Sequence, residues 1–195
     1  PDSKVPEIRA GVVYSFGDSS NVNQSNKLTE LRIINRTNGT LSASPIEAYG
    51  TIGFGVNVID KQDGALNNNG IFNLKMTVNG KTFYEHTVDT YAFSETRYVN
   101  TLIDYGRFYD KRHRIQKCFV EPSNKLSIYK NLVNNGYLQI RDGMSYTVKI
   151  TASDFKGNSQ SLVIPVKGKK NNVIVKKSII KTPQDRKSTR LNSSH

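Results

Sequence analysis

The apolar residues of this chain fall in short runs with a period of two, and the breaks between runs are rich in Gly, Asn and Asp. That pattern predicts strands joined by turns. Residues 8–14 carry the β-branched pair Val12 and Val13, and residues 28–35 alternate before a turn at 35–39. In residues 49–60, Ile52, Phe54, Val56 and Val58 share one face, while Thr51, Gly53, Gly55 and Asn57 share the other. Glycines along one face predict the close approach of another backbone, or room for a large aromatic ring. The clearest local unit is residues 72–88, where two alternating runs flank Asn79 and Gly80, a pair suited to a type I′ hairpin turn. Phe72, Leu74, Met76 and Val78 are expected to face the core, and His86 on the return strand to face solvent.

Between about residues 92 and 136 the pattern changes. Ser94 can cap one or two helical turns, residues 123–132 suit a short helix stopped at Asn135 and Gly136, and residues 106–114 read as a basic, aromatic loop. Strands return at residues 145–154, with Tyr146, Val148, Ile150 and Ala152 on one side, and at residues 161–166, where Pro165 predicts an edge strand. The fold class expected is mostly β: an immunoglobulin-like antiparallel β-sandwich with a partly helical insertion at about residues 92–136.

Charge changes this picture little. The chain has 195 residues and a net charge of +12, but residues 167–195 hold nine Lys and Arg against one acid, Asp185. The remaining body carries a net of +4, an ordinary surface, so nucleic acid is not an expected partner. Residues 185–195 resemble an in-frame translation of a short-read sequencing adapter, which makes them an artefact without selected structure. The organisation expected is a β-sandwich accessory domain with its insertion at 1–168, a basic tail at 169–184, and a disordered artefact at 185–195. The chain opens at Pro1 without an initiator Met or leader pattern and is read as a fragment. No apolar run approaches the length of a membrane helix, so the chain is not expected to span a membrane.

Candidate chemistry is sparse. Cys118 stands alone and is expected to be a small core hydrophobe. Residues 60–69 offer oxygen ligands but lack the order of a calcium loop and its closing Glu, so an ordinary hairpin loop is expected. Glu95 and Asp104 have no glycosidase frame around them, and anchoring of the insertion, with one of them paired to Arg97, is expected instead. Ser and Thr occur without a nucleophile elbow, and the sequon at Asn35, a short pattern, carries no weight by itself. Residues 105–115 are the one segment that invites a binding role. There Arg107, Tyr109, Arg112 and Arg114 form a candidate polymer-binding loop, since Arg and Tyr can grip acidic polymers or stack on sugars.

Several segments, in order, resemble the region that follows the catalytic domain in lysostaphin-type (LytM-like) zinc metalloendopeptidases of Bacteroidetes. They are residues 6–10, 49–60, 69–72 and 93–97 with Asn100 and 103–105, and then 153–158. Residues 146–158 also resemble the last hairpin of immunoglobulin-like modules, with a tyrosine near a strand corner and Asp154 and Asn158 tying down the turn. The resemblance covers roughly residues 5 to 168. It implies a non-catalytic accessory module of a peptidoglycan-cleaving enzyme in the cell envelope, periplasmic or secreted. Its partners would be the upstream catalytic domain, which it positions or restrains, and peptidoglycan.

Zinc in that family is held by an upstream His and Asp and by a His-x-His. This chain has only His86, His113 and His195, so no catalytic, metal or cofactor residue is assigned here and zinc belongs to the parent. The alternative expectation is an independent cell-surface adhesion or carbohydrate-binding module.

Overall fold

The computed structural model describes residues 4–37, 39–61, 68–69, 71–88 and 93–171. The expectations for the tail from residue 172 onward, and for most of the 60–69 loop, lie outside the described residues.

Along the chain come β1 (Glu7–Val22), β2 (Thr29–Glu30), β3 (Ile33–Thr37), β4 (Thr40–Ala43) and β5 (Ile46–Lys61). A two-residue β6 (Asn68–Asn69) precedes the hairpin of β7 (Asn73–Val78) and β8 (Lys81–Thr87). A 3-10 segment (Phe93–Leu102) and the helix α1 (Tyr105–Lys111) lead to β9 (Ile115–Lys117) and β10 (Tyr129–Leu132). A 3-10 turn (Asn134–Gly136), β11 (Leu138–Ile140), β12 (Ser145–Ser153) and β13 (Ser159–Gly168) complete the described chain.

The strands form a curled, mixed sheet. One limb runs β10-β8-β7-β12-β13, with β4 and then β3 beyond β13. The other centres on β5, which pairs with β1 along one edge and with β9 and β11 end to end along the opposite edge. The limbs join through β13, which runs parallel to β4 at Ser161–Val163 and then parallel to β5 at Val166–Gly168. These two parallel pairings make the sheet mixed where the sequence reading expected antiparallel pairing throughout.

They also correct the reading of Pro165 as a sign of an edge strand. β13 is paired on both sides, by β12 and by β4 and β5. Pro165 falls where β13 leaves one parallel partner for the other, opposite the joint at Pro45 between β4 and β5. A residue without an N–H is tolerated at such a break in the ladder.

Local sequence explains most elements. Asn79 (φ 49°) and Gly80 (φ 81°) both take positive φ, as a type I′ hairpin requires, and Val78 pairs with Lys81. Leu74, Met76 and Val78 are buried as expected, while Phe72 lies just before the strand and is half-buried. Asp154 closes the last hairpin: its Oδ1 accepts the N–H groups of Lys156 and Asn158, and its Oδ2 accepts the Asn158 amide at 2.7 Å.

Three expectations fail. Residues 105–111 are helical rather than loop, because Asp104 caps them: its Oδ1 accepts the Arg107 N–H at 3.1 Å. Residues 123–132 are not a helix. Residues 129–132 form β10, which completes the edge of β8 in a long-range pairing that outweighs local helix preference. His86 is buried, 1% exposed, rather than facing solvent.

The core gathers residues of both limbs into one cluster, including Phe54 and Val56 of β5, Leu74 and Met76 of β7, Ile150 of β12 and Ile164 of β13. Cys118 lies in it, fully buried, and burial pushes its thiol pKa well above the usual range, so it acts as a small hydrophobe.

Candidate binding clefts

The glycines of β5 shape the outer face of that strand. A Cβ on Gly53 would meet the Phe119 ring at 2.7 Å and the Phe16 ring at 3.0 Å. One on Gly55 would meet Ile115 at 2.7 Å and Tyr14 at 3.2 Å. The missing side chains let aromatic rings lie against the strand, as the glycine face predicts. Phe119 is central: it meets Tyr14 edge-on at 5.4 Å and Phe16 edge-on at 5.2 Å, with Tyr137 5.0 Å from Phe16. Edge-to-face contacts of this kind add to area burial and hold ring orientation.

Above this floor opens a cleft of about 460 Å3, walled by residues 100–106 and by the chain after β9. Its polar groups are few and held. Tyr14 donates its hydroxyl to Asp104 Oδ2 at 2.8 Å, so one carboxylate ties β1 to the cap of α1. Burial and then the Asp104 hydrogen bond push the Tyr14 phenol well above its usual pKa, which keeps it a donor. Lys117 is nearly buried, pairs with Glu121 at 2.9 Å, and stands 5.9 Å over the Phe119 ring. Ile103 bridges to Gln116, and Asp104 N–H reaches the Ile115 carbonyl, so the wall is pinned to β9. An aromatic floor with a few fixed polar groups is the usual make-up of a small-ligand site.

A second cleft, about 660 Å3, lies at the far end of β1 and β5 and has a different lining. Residues 17–20 bulge out of β1, because Phe16 pairs with Thr51 while Asn21 already pairs with Tyr49. Val22 and Ser25 then close a tight turn on Asn23 (φ 48°) and Gln24 (φ 65°). Asn21, Gln24 and Asn26 line this cleft beside the Tyr49 ring, over which Lys170 Nζ stands at 5.8 Å. The sequence reading missed both clefts. The Gly53 and Gly55 face signalled the first; the pairing that makes the bulge is long-range and left no local signal for the second.

The four residues proposed from sequence lie on and just after α1. Arg107 turns inward and its Nη2 pairs with Glu30. Arg112, at the left-handed C-cap of α1, and Arg114 both stand about 6 Å from the Phe108 ring, at 6.0 and 5.9 Å. Tyr109 projects outward, 72% exposed. Arg97 lies over the Tyr98 ring at 4.8 Å, and Glu95 accepts the Ser127 hydroxyl.

Among the described residues no group of three His, Cys, Asp or Glu side chains is placed to hold a metal ion, and no helix is long and apolar enough to cross a membrane. No family model, curated protein or solved structure matches this chain.

Proposed function

We propose that this chain is a non-catalytic accessory module of a peptidoglycan-cleaving zinc metalloendopeptidase, acting in the cell envelope, periplasmic or secreted. It positions or restrains a catalytic domain that lies upstream. The family reading rests on the ordered sequence motifs. The zinc it implies belongs to that upstream part: His86 here is buried with Nδ1 against the Tyr84 hydroxyl, which does not suit a ligand to a catalytic metal with an open position.

The finer fold is proposed as an immunoglobulin-like sandwich. Two contacts across the core support it. Tyr84 of β8 donates its hydroxyl to the Lys117 carbonyl of β9, and Leu162 of β13 packs against Gly11 of β1, leaving no room for a Cβ there. Both link strands of one limb to strands of the other, as facing layers do.

The observation that carries a binding role is the cleft over Phe119. Rings offer an apolar face, and Asp104, Lys117 and Glu121 offer charged partners, a combination matched to a wall polymer that carries sugars, amides and charged peptide ends. The test is cosedimentation of the full chain with purified peptidoglycan sacculi. Binding is expected, and Phe16→Leu, which keeps apolar bulk but removes the ring, should weaken it about fivefold. Tyr109→Ala should leave it unchanged. Absence of binding, or equal binding by the Phe16 variant, overturns this reading.

A further inference from the structure

We propose that the second cleft, between the β1 bulge and Tyr49, is a binding site for an uncharged oligosaccharide, separate from the Phe119 cleft and independent of the wall-peptidase reading. Its lining is dominated by hydroxyl and amide groups, with one acid, Asp18, and one base, Lys170, whose charges balance. The side-chain amides of Asn21, Gln24 and Asn26 have no hydrogen-bond partner among the described residues. Each amide presents a donor and an acceptor side by side, the pattern that matches neighbouring hydroxyls on a sugar ring. Asn21 is 9% exposed as a residue, and its unpartnered amide keeps its contact with solvent at the wall of this cleft. A solvated amide without a protein partner can exchange its water for the hydroxyls of a ligand without breaking any bond within the protein.

The backbone points the same way. Gln24 sits at φ 65° in the tight turn, a conformation that favours Gly or Asn and is strained for Gln. Strain of this kind concentrates at functional sites, and here it delivers an amide to the cleft. The half-buried Tyr49 ring, with Lys170 Nζ 5.8 Å over it, adds an aromatic wall to the cleft. At about 660 Å3 the cleft is within the range of small-ligand sites.

The experiment titrates the 15N-labelled full chain with maltotriose, cellotriose and triacetylchitotriose, following backbone amide shifts, with glucuronate as a charged control. At least one trisaccharide should produce saturable shifts at residues 18–26 and 49. Gln24→Gly should weaken that binding about fivefold, the loss of roughly one hydrogen bond, while raising thermal stability by relieving the turn. A site that is merely structural does not give that split. Phe16→Leu should leave the titration unchanged, which separates this site from the Phe119 cleft. The proposal is overturned if none of the trisaccharides shifts these residues, if glucuronate alone does, if the shifts cluster around Phe16, or if Gln24→Gly binds as tightly as wild type.

Discussion

Tyr84 Oη lies 2.8 Å from His86 Nδ1, and the two buried side chains share the inner face of β8. The single Tyr84 proton is spent on the Lys117 carbonyl at 3.1 Å, so His86 Nδ1 is the donor in its own bond to Tyr84. In the neutral imidazole this fixes the Nδ1–H tautomer, and the Tyr129 ring packs edge-on at 6.3 Å beside it.

Burial depresses the His86 pKa from 6.5 to about 4. Between these values the unfolded chain binds a proton that the folded chain refuses, so the stability contributed is complete above pH 6.5. It falls as pH drops and levels off below about 4, for a total loss of about 3 kcal/mol. Urea melts at pH 7.5 and pH 4.5 should differ in this direction. His86→Phe, which leaves the Tyr84 donor satisfied, should flatten this part of the slope; an unchanged slope would remove His86 as its source.

Gly136 and Gly157 both have positive φ, 82° and 91°, but their surroundings differ. A Cβ on Gly136 would meet the Cys118 carbonyl oxygen at 2.3 Å and Phe119 Cα at 2.8 Å, whereas Gly157 has nothing within 4 Å. Gly157→Ala should cost about 1 kcal/mol from backbone strain alone. Gly136→Ala must also move the backbone beneath Phe119 and should cost about 3 kcal/mol or more. Chemical denaturation of the two variants checks the order, and equal losses would show that the 118–136 contact is not close.

Tyr146 is half-buried against the core rather than fully inside it, and its hydroxyl accepts the Arg141 N–H at 3.2 Å near the Gly143 turn. Tyr146→Ala should therefore cost about 2 kcal/mol, less than for a sealed core ring. Thr147→Ala, on the exposed face of β12, should cost well under 1 kcal/mol. Similar losses for both in denaturant melts would contradict the face assignment.

What the sequence disclosed divides by range. Period-two alternation revealed β7 and β12, Asn79 and Gly80 revealed their turn, and Gly53 with Gly55 revealed where rings would lie, because each signal is local. Residues 123–132 misled because β10 exists only to complete the edge of β8, about forty-five residues earlier, Tyr129 pairing with His86. His86 misled because Phe83 and Tyr84 are adjacent and either can define the inner face; the irregularity at Met76 and Thr77 sets the phase that points Tyr84 and His86 inward. α1 was hidden by poor helix formers, Gly106 among them, in a helix of seven residues that depends on its cap.

Asp104 is that cap, and it also receives the Tyr14 hydroxyl, so one carboxylate holds both the helix and the wall of the Phe119 cleft. Asp104→Ala removes the cap, worth about 1 kcal/mol, and leaves a half-buried phenol without its acceptor, costing about 1 kcal/mol more. Asp104→Asn keeps a good capping residue and an acceptor, and should lose less than half as much. The two roles separate in a double-mutant cycle with Tyr14→Phe. If the hydroxyl acts through Asp104, Tyr14→Phe should be costly in the wild type and nearly neutral in the Asp104→Ala background, a coupling of about 1 kcal/mol. Amide exchange at Arg107, whose N–H bonds Asp104, should accelerate in Asp104→Ala but not in Tyr14→Phe, because the cap acts on the helix alone. Additive losses in the cycle would show that Tyr14 and Asp104 stabilise the cleft separately, and unchanged exchange at Arg107 would show that α1 does not depend on this cap.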